Sequence, residues 1–155
     1  MSAKSDWLRS LAQMRADEVS TLLVAGAQAH GTNSEAAAVH LLVFTDLPGR
    51  SAFREHLRLI PGLPGPLAID WLGVVGDPRV VMRASSSTRQ LLALASALAG
   101  KSAVRLPDAC AGLGHANARR VAEALLIATG YGDWYQIIGT AVLDQYEKGR
   151  PDVAH

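Results

Sequence analysis

SSSTRQLLALASALAGKSAVRLPDACAGLGHANARRVAEALLIATG, Ser85 to Gly130, is the stretch on which the reading of this chain turns. Ser85, Ser86, Ser87 and Thr88 stand just before Leu91, Leu92, Ala95 and Leu98. Hydroxyls in that place accept hydrogen bonds from the first free amides of a helix. The three- and four-residue recurrence of apolar positions makes one face greasy. The spacing predicts a helix over 88–99 closed by Gly100 in a left-handed conformation. A bridge, 101–113, follows, with Pro107 suited to the first turn of a small helix near Asp108–Ala111. A second helix, 115–129, carries the stripe Ala118, Val121, Ala122, Leu125 and Leu126 and closes at Gly130.

Outward toward the N-terminus, Asp6 is placed to cap a first helix bearing Trp7, Leu8, Leu11 and Met14. The pattern slips near Asp17-Glu18, so this region reads as one bent helix or two, ending before Gly31. Thr32-Asn33-Ser34-Glu35 has the form of a capping box. The run Ala36–Phe44 reads as a buried helix, with 39–45 also suiting a buried strand, because periodicity alone does not separate the two in a short apolar run. Ser51 opens a short helix with Phe53, Leu57 and Ile60 inward and Arg50, Arg54, Glu55 and Arg58 outward. Pro61-Gly62-Leu63-Pro64-Gly65-Pro66 breaks regular structure and marks two subregions within one domain.

Residues 67–84 lean to short strands or a hairpin about Gly76-Asp77-Pro78, with valines favouring strand. The competing reading has Asp70 capping a helix that starts at Trp71. Past Gly130, Asp133 is placed to cap a last helix on which Trp134, Ile137, Ile138, Ala141, Val142 and Tyr146 share a face. Gly149-Arg150-Pro151 ends it, leaving a frayed tail over 150–155.

The fold class expected is therefore mainly α. It is a compact bundle of about five to six helices over residues 1–155, with a small β-hairpin or short strands allowed near 67–84. At 155 residues, 49% apolar and 19% charged, the chain has the makings of a real core. Only 5% of residues are aromatic, so alanine and aliphatic side chains must fill that core. One cysteine, Cys110, excludes an internal disulfide and a thiol metal cluster. It fits a reducing cytoplasm. No apolar signal core opens the chain, and the longest charge-free run, Val19–Ser34, is too short and too polar to span a bilayer. No membrane partner is expected.

Motifs for chemistry fail one by one. Gly100-Lys101-Ser102 imitates the end of a phosphate-binding loop, but Ala95 takes the place of the required earlier glycine and a helix, not a strand, comes before. The five histidines are scattered, with no HExxH. His40 reads as a hydrogen-bonded core residue. Cys110, His115 and Asp108 have the residue types of a thiol–imidazole pair with an orienting carboxylate, yet Cys110 reads better as a small buried hydrophobe. Trp7, Trp71 and Trp134 read as core or interface anchors. No catalytic, cofactor or metal residue is nominated.

Charge is the one lead above background. Residues 1–78 carry a net −2, residues 79–120 a net +6 and residues 121–155 a net −3. Such a basic segment attracts phosphates or an acidic partner. Arg79, Arg83, Arg105, Arg119 and Arg120 are the candidate anion- or nucleic-acid-binding residues, and 106–129 has a weak helix-turn-helix outline. Glu123 is placed to pair with Arg119 or Arg120, and the acidic flanks to neutralise the patch. The leading functional expectation is a non-enzymatic protein-interaction or regulatory module that forms a homo-oligomer or binds another protein through alanine-rich helices. Nucleic-acid binding is the alternative.

Overall fold

The structure, a computed structural model, describes residues 2–63 and 65–149. Its elements run α1 (Ala3–Gln13), α2 (Ala16–His30), α3 (Asn33–Leu42), a 3-10 turn (Leu47–Gly49), α4 (Ser51–Arg54), β1 (Leu57–Leu59), β2 (Leu67–Ile69), α5 (Trp71–Gly76), α6 (Pro78–Val81), α7 (Ser86–Leu98), α8 (Leu106–Cys110), α9 (His115–Ala128) and α10 (Ala141–Lys148). Six of these helices have eight residues or more, and the sheet has two strands, so the mainly α expectation with a small β element is met. The tail 150–155 lies outside the described residues.

Helix α3 is the axis of the packing. Ala37, Ala38, Val39, Leu41 and Leu42 are all buried, and α2, α7 and α9 pack around it. The ambiguous run 36–44 is thus helical. Thr32 Oγ1 accepts from the Glu35 amide at 3.2 Å, the first half of the expected capping box. The second half is redirected: Glu35 Oε1 accepts from Trp71 Nε1 at 2.9 Å, tying α3 to α5.

The helices over 85–130 form as their spacing requires. Ser85 Oγ accepts from the Thr88 amide at 3.1 Å and caps α7. Gly100 closes α7 at φ +75 and Gly130 follows α9 at φ +85, left-handed values that other residues rarely adopt. The Lys101 amide donates to the Ser96 carbonyl at 3.0 Å, the hydrogen bond of a helix C-terminal cap. Gly100-Lys101-Ser102 is that cap and not a phosphate loop. Gln90 Nε2 donates to the carbonyls of Ala109 and Ala111, so α7 also satisfies the end of α8.

Several expectations are corrected. Asp6 does not cap α1; Ser2 occupies the cap position and Asp6 lies in the first turn. The slip near Asp17-Glu18 is a true break, and Glu18 Oε2 accepts from the Arg15 amide at 2.7 Å to start α2. Residues 71–81 are helical rather than part of a hairpin about Gly76-Asp77-Pro78. Asp70 Oδ1 accepts from the Gly73 amide and Asp77 Oδ1 from the Arg79 amide, with Pro78 opening α6, so two caps override the strand preference of the valines. β2 pairs upstream instead, antiparallel to β1, with Leu57 opposite Ile69 and Leu59 opposite Leu67. The Pro/Gly connector is the loop of this hairpin, its turns set by Gly62 at φ +79 and Gly65 at φ +98. Core side chains come from both sides of it, from Leu11 to Ala124.

Arg54, expected outward, is buried. The helix it was assigned to stops after one turn at β1, and its guanidinium turns inward to the carbonyls of Pro48 (2.8 Å), Leu11 (2.8 Å) and Ala12 (3.4 Å). Leu11 and Ala12 are in the last turn of α1, where carbonyls lack helical partners and a cation is favoured. The last helix is shorter than expected. It begins at Ala141 after Thr140, and Trp134–Thr140 has no helical turn of its own. Isoleucines at 137 and 138 and Gly139 are weak helix formers, and with no core face to bury they do not offset nucleation.

α2 crosses the hairpin so closely that a methyl on Gly26 would sit 2.0 Å from the Leu67 carbonyl oxygen. Gly26→Ala is expected to cost about 3 kcal/mol despite better helix propensity. In calorimetry that lowers Tm by about 6–12 °C. Gly76→Ala, whose methyl meets open space, should leave Tm level or slightly higher.

Candidate interaction surface

The nominated arginines do not converge on one site. Arg79 is held by two carboxylates: Nη2 donates to Glu55 Oε2 at 2.6 Å and to Asp77 Oδ2 at 2.8 Å. His56 Nε2 lies 2.8 Å from the same Asp77 oxygen, extending the chain of contacts from α4 to α6. Arg119 Nε donates to Glu123 Oε1 at 2.8 Å, the pairing its spacing suggested. Arg120 instead lies over the Phe44 ring, 4.2 Å from its centroid, and donates to Asn117 Oδ1. Arg105 is 3.7 Å from Asp108. Of the five, Arg83 is exposed and makes no side-chain ion pair among the described residues. Arg89 and Lys101, which were not nominated, share that condition.

His40 is half-buried, with Nε2 2.9 Å from Glu123 Oε2, as a hydrogen-bonded residue and not a ligand. Burial raises the Glu123 carboxyl, but the hydrogen bonds from His40 and Arg119 outweigh it and hold it below its ordinary 4.5. Two cavities flank His40. One, of about 290 Å³, is lined by Val24, Gln28, Asn33, Ile127 and Asp133; the other, of about 210 Å³, by Arg119, Leu126, Tyr135 and Ile137. The segment after Gly130 therefore runs over the body without filling the space beneath it.

Cys110 is exposed, contrary to the buried hydrophobe expected, because α8 is a single short helix that buries Ala109 alone. No hydrogen bond joins it to His115, whose ring meets Tyr146 edge to face at 5.4 Å. Among the described residues no group of three or more His, Cys, Asp or Glu side chains is arranged to hold a metal ion. No helix among them is long and apolar enough to cross a membrane.

What the sequence did not mark as exposed is the segment 131–149, here termed the arm. Among the described residues no hydrophobic side chain past Ala128 belongs to the core or packs against it. Yet Trp134 is 75%, Tyr135 65%, Ile138 77% and Val142 74% exposed, and α10 buries none of its residues. The face-sharing spacing of Trp134, Ile138 and Val142 was legible; that they stand mostly exposed was not. Comparison with known proteins gives no matching family model, no similar curated protein and no similar solved structure.

The Asp77 network makes a pH prediction. Hydrogen bonds from Arg79, then from His56, hold the Asp77 carboxyl well below its ordinary 3.8 against a smaller effect of burial. A depressed carboxylate adds stability above its unfolded value and loses it as pH falls through the folded one. Asp77→Asn keeps a capping oxygen but removes the charge. The variant is expected to be less stable than the parent above about pH 5, with the gap shrinking in acid, as read by denaturant melts across pH.

Proposed function

We propose that this chain is a non-enzymatic protein-interaction or regulatory module, working in a reducing cytoplasm, that self-associates through its arm. The observation that carries this reading is the placement of aromatics. The chain has three Trp, three Tyr and two Phe. Four of these, Tyr131, Trp134, Tyr135 and Tyr146, come after Ala128, the last hydrophobic packed against the core among the described residues, and all four are exposed. The core draws on none of these four, being filled mostly by alanine, valine and leucine with Phe53 and Trp71. Contiguous exposed apolar groups rimmed by polar ones mark association surfaces. Trp and Tyr supply the most contact area there for the least conformational entropy.

Nucleic-acid binding through Arg79, Arg83, Arg105, Arg119 and Arg120 is the less supported reading, because four of the five already have partners within the chain.

The test is light scattering across a concentration series on the parent and on a Trp134→Ser, Ile138→Ser, Val142→Ser variant. The parent is expected to assemble and the variant to do so at least tenfold more weakly, with an unchanged circular dichroism melt because no core side chain is touched. Equal assembly by both would refute the arm as the associating element. A parent that stays monomeric but binds labelled duplex DNA, more weakly at higher salt, would favour the alternative.

A further inference from the structure

Asp144 and Glu147 on the arm and the basic corner between α6 and α7 are opposite in charge, and neither has an ion-pair partner among the described residues. We propose that the arm of one copy seats on that corner of a second copy, in a reciprocal exchange that closes a twofold dimer. This inference rests on the self-association reading above and names the surface that receives the arm.

Once the ion pairs among the described residues are assigned, two cations remain at the corner and two anions on the arm, with the Lys148 cation beside the anions at the end of α10. At the corner, Arg83 lies just past α6 and Arg89 in the first turn of α7; both are exposed and neither pairs with a carboxylate among the described residues. Between α6 and Arg83 stands Met82, 76% exposed. On the arm, Asp144 and Glu147 are exposed and unpaired with any cation among the described residues. They stand three apart on α10, so they share a side of that helix. The cations closest at hand on α9 do not serve them, since Arg119 is held by Glu123 and Arg120 by Phe44 and Asn117. The corner thus offers an exposed apolar side chain and two cations, and the arm offers Ile138 and Val142 together with two anions that lie on the side of α10 away from Val142.

Reach and area are also sufficient. Residues 135–140 are without regular structure, and six such residues span up to about 20 Å. Trp134, Tyr135, Ile138 and Val142 present on the order of 500 Å² on each arm. Two reciprocal seats, counted on both partners, meet the roughly 1,600 Å² of a stable complex. An arm laid on a distant patch would give an open chain of molecules unless the exchange is mutual, and mutual exchange closes it.

The experiment uses charge exchange on the full chain, with mass measured by sedimentation equilibrium at low salt. Asp144→Lys with Glu147→Lys should weaken the dimer at least tenfold, and so should Arg83→Glu with Arg89→Glu. An equimolar mixture of the two variants should recover it, because both seats then pair opposite charges. Neutral versions, Asp144→Asn with Glu147→Gln and Arg83→Gln with Arg89→Gln, should each weaken the dimer by a smaller factor, which keeps the test valid should a reversed variant misfold. Charge variants that dimerise like the parent, or a mixture that fails to recover, overturn the corner as the seat. If in that case the triple serine variant still loses assembly, the arm reading stands and the seat lies elsewhere. If the triple serine variant assembles normally, the arm reading itself falls.

Discussion

Everything in the body follows from how closely backbones must approach α3 and the hairpin. Helix α3 is covered by α2, α7 and α9, and its Ala37 and Ala38 are wholly buried. A helix enclosed on several sides by others needs small side chains so that axes approach closely and dispersion contacts accumulate. Gly26 on the Leu67 backbone is the extreme of the same demand. The alanine-rich, aromatic-poor composition is therefore a packing requirement as much as a compositional habit. It leaves the large side chains of the arm without a role in the body.

A chain cut into many short helices has many helix ends, and each end exposes carbonyls or amides that must find partners. Buried and half-buried side chains do this work here. Arg54 serves the end of α1 and Gln90 the end of α8. Asp70 and Asp77 start α5 and α6. The Asp caps are local, but the Arg54 and Gln90 contacts join elements apart in sequence, so satisfying those ends also fixes the tertiary arrangement. The buried Arg54 guanidinium finds carbonyl oxygens alone, two of them in the last turn of α1 where the helix dipole favours a cation.

The helices over 85–130 were legible because their signals are local: a hydroxyl cap, a spaced apolar face and a glycine that closes. The buried helix at 33–42 was legible through Thr32, and the His40 and Glu123 partnerships in part. What local pattern could not supply was any choice between two satisfied alternatives. Val74, Val75, Val80 and Val81 favour strand, but Asp70, Asp77 and Pro78 decide for helix, and two caps outweigh a preference that depends mostly on packing. Arg54 faces inward because of carbonyls contributed more than forty residues earlier in the chain, which no window of sequence contains. The arm's spacing suggested a full helix with a buried face. Whether such a face is buried depends on there being a surface to receive it, and among the described residues the core ends at Ala124, with Ala128 the last hydrophobic packed against it.

That ending gives the molecule two separate stabilities. Residues in the α3-centred core open to solvent only when the whole body unfolds, whereas α10 opens at almost no cost because its hydrogen bonds are backed by little packing. Amide exchange should therefore divide the chain near Ala128 into a slow and a fast part. A melting temperature would describe only the slow part. The arm then adds little to the thermal transition, since its helix shares few contacts with the cooperative body.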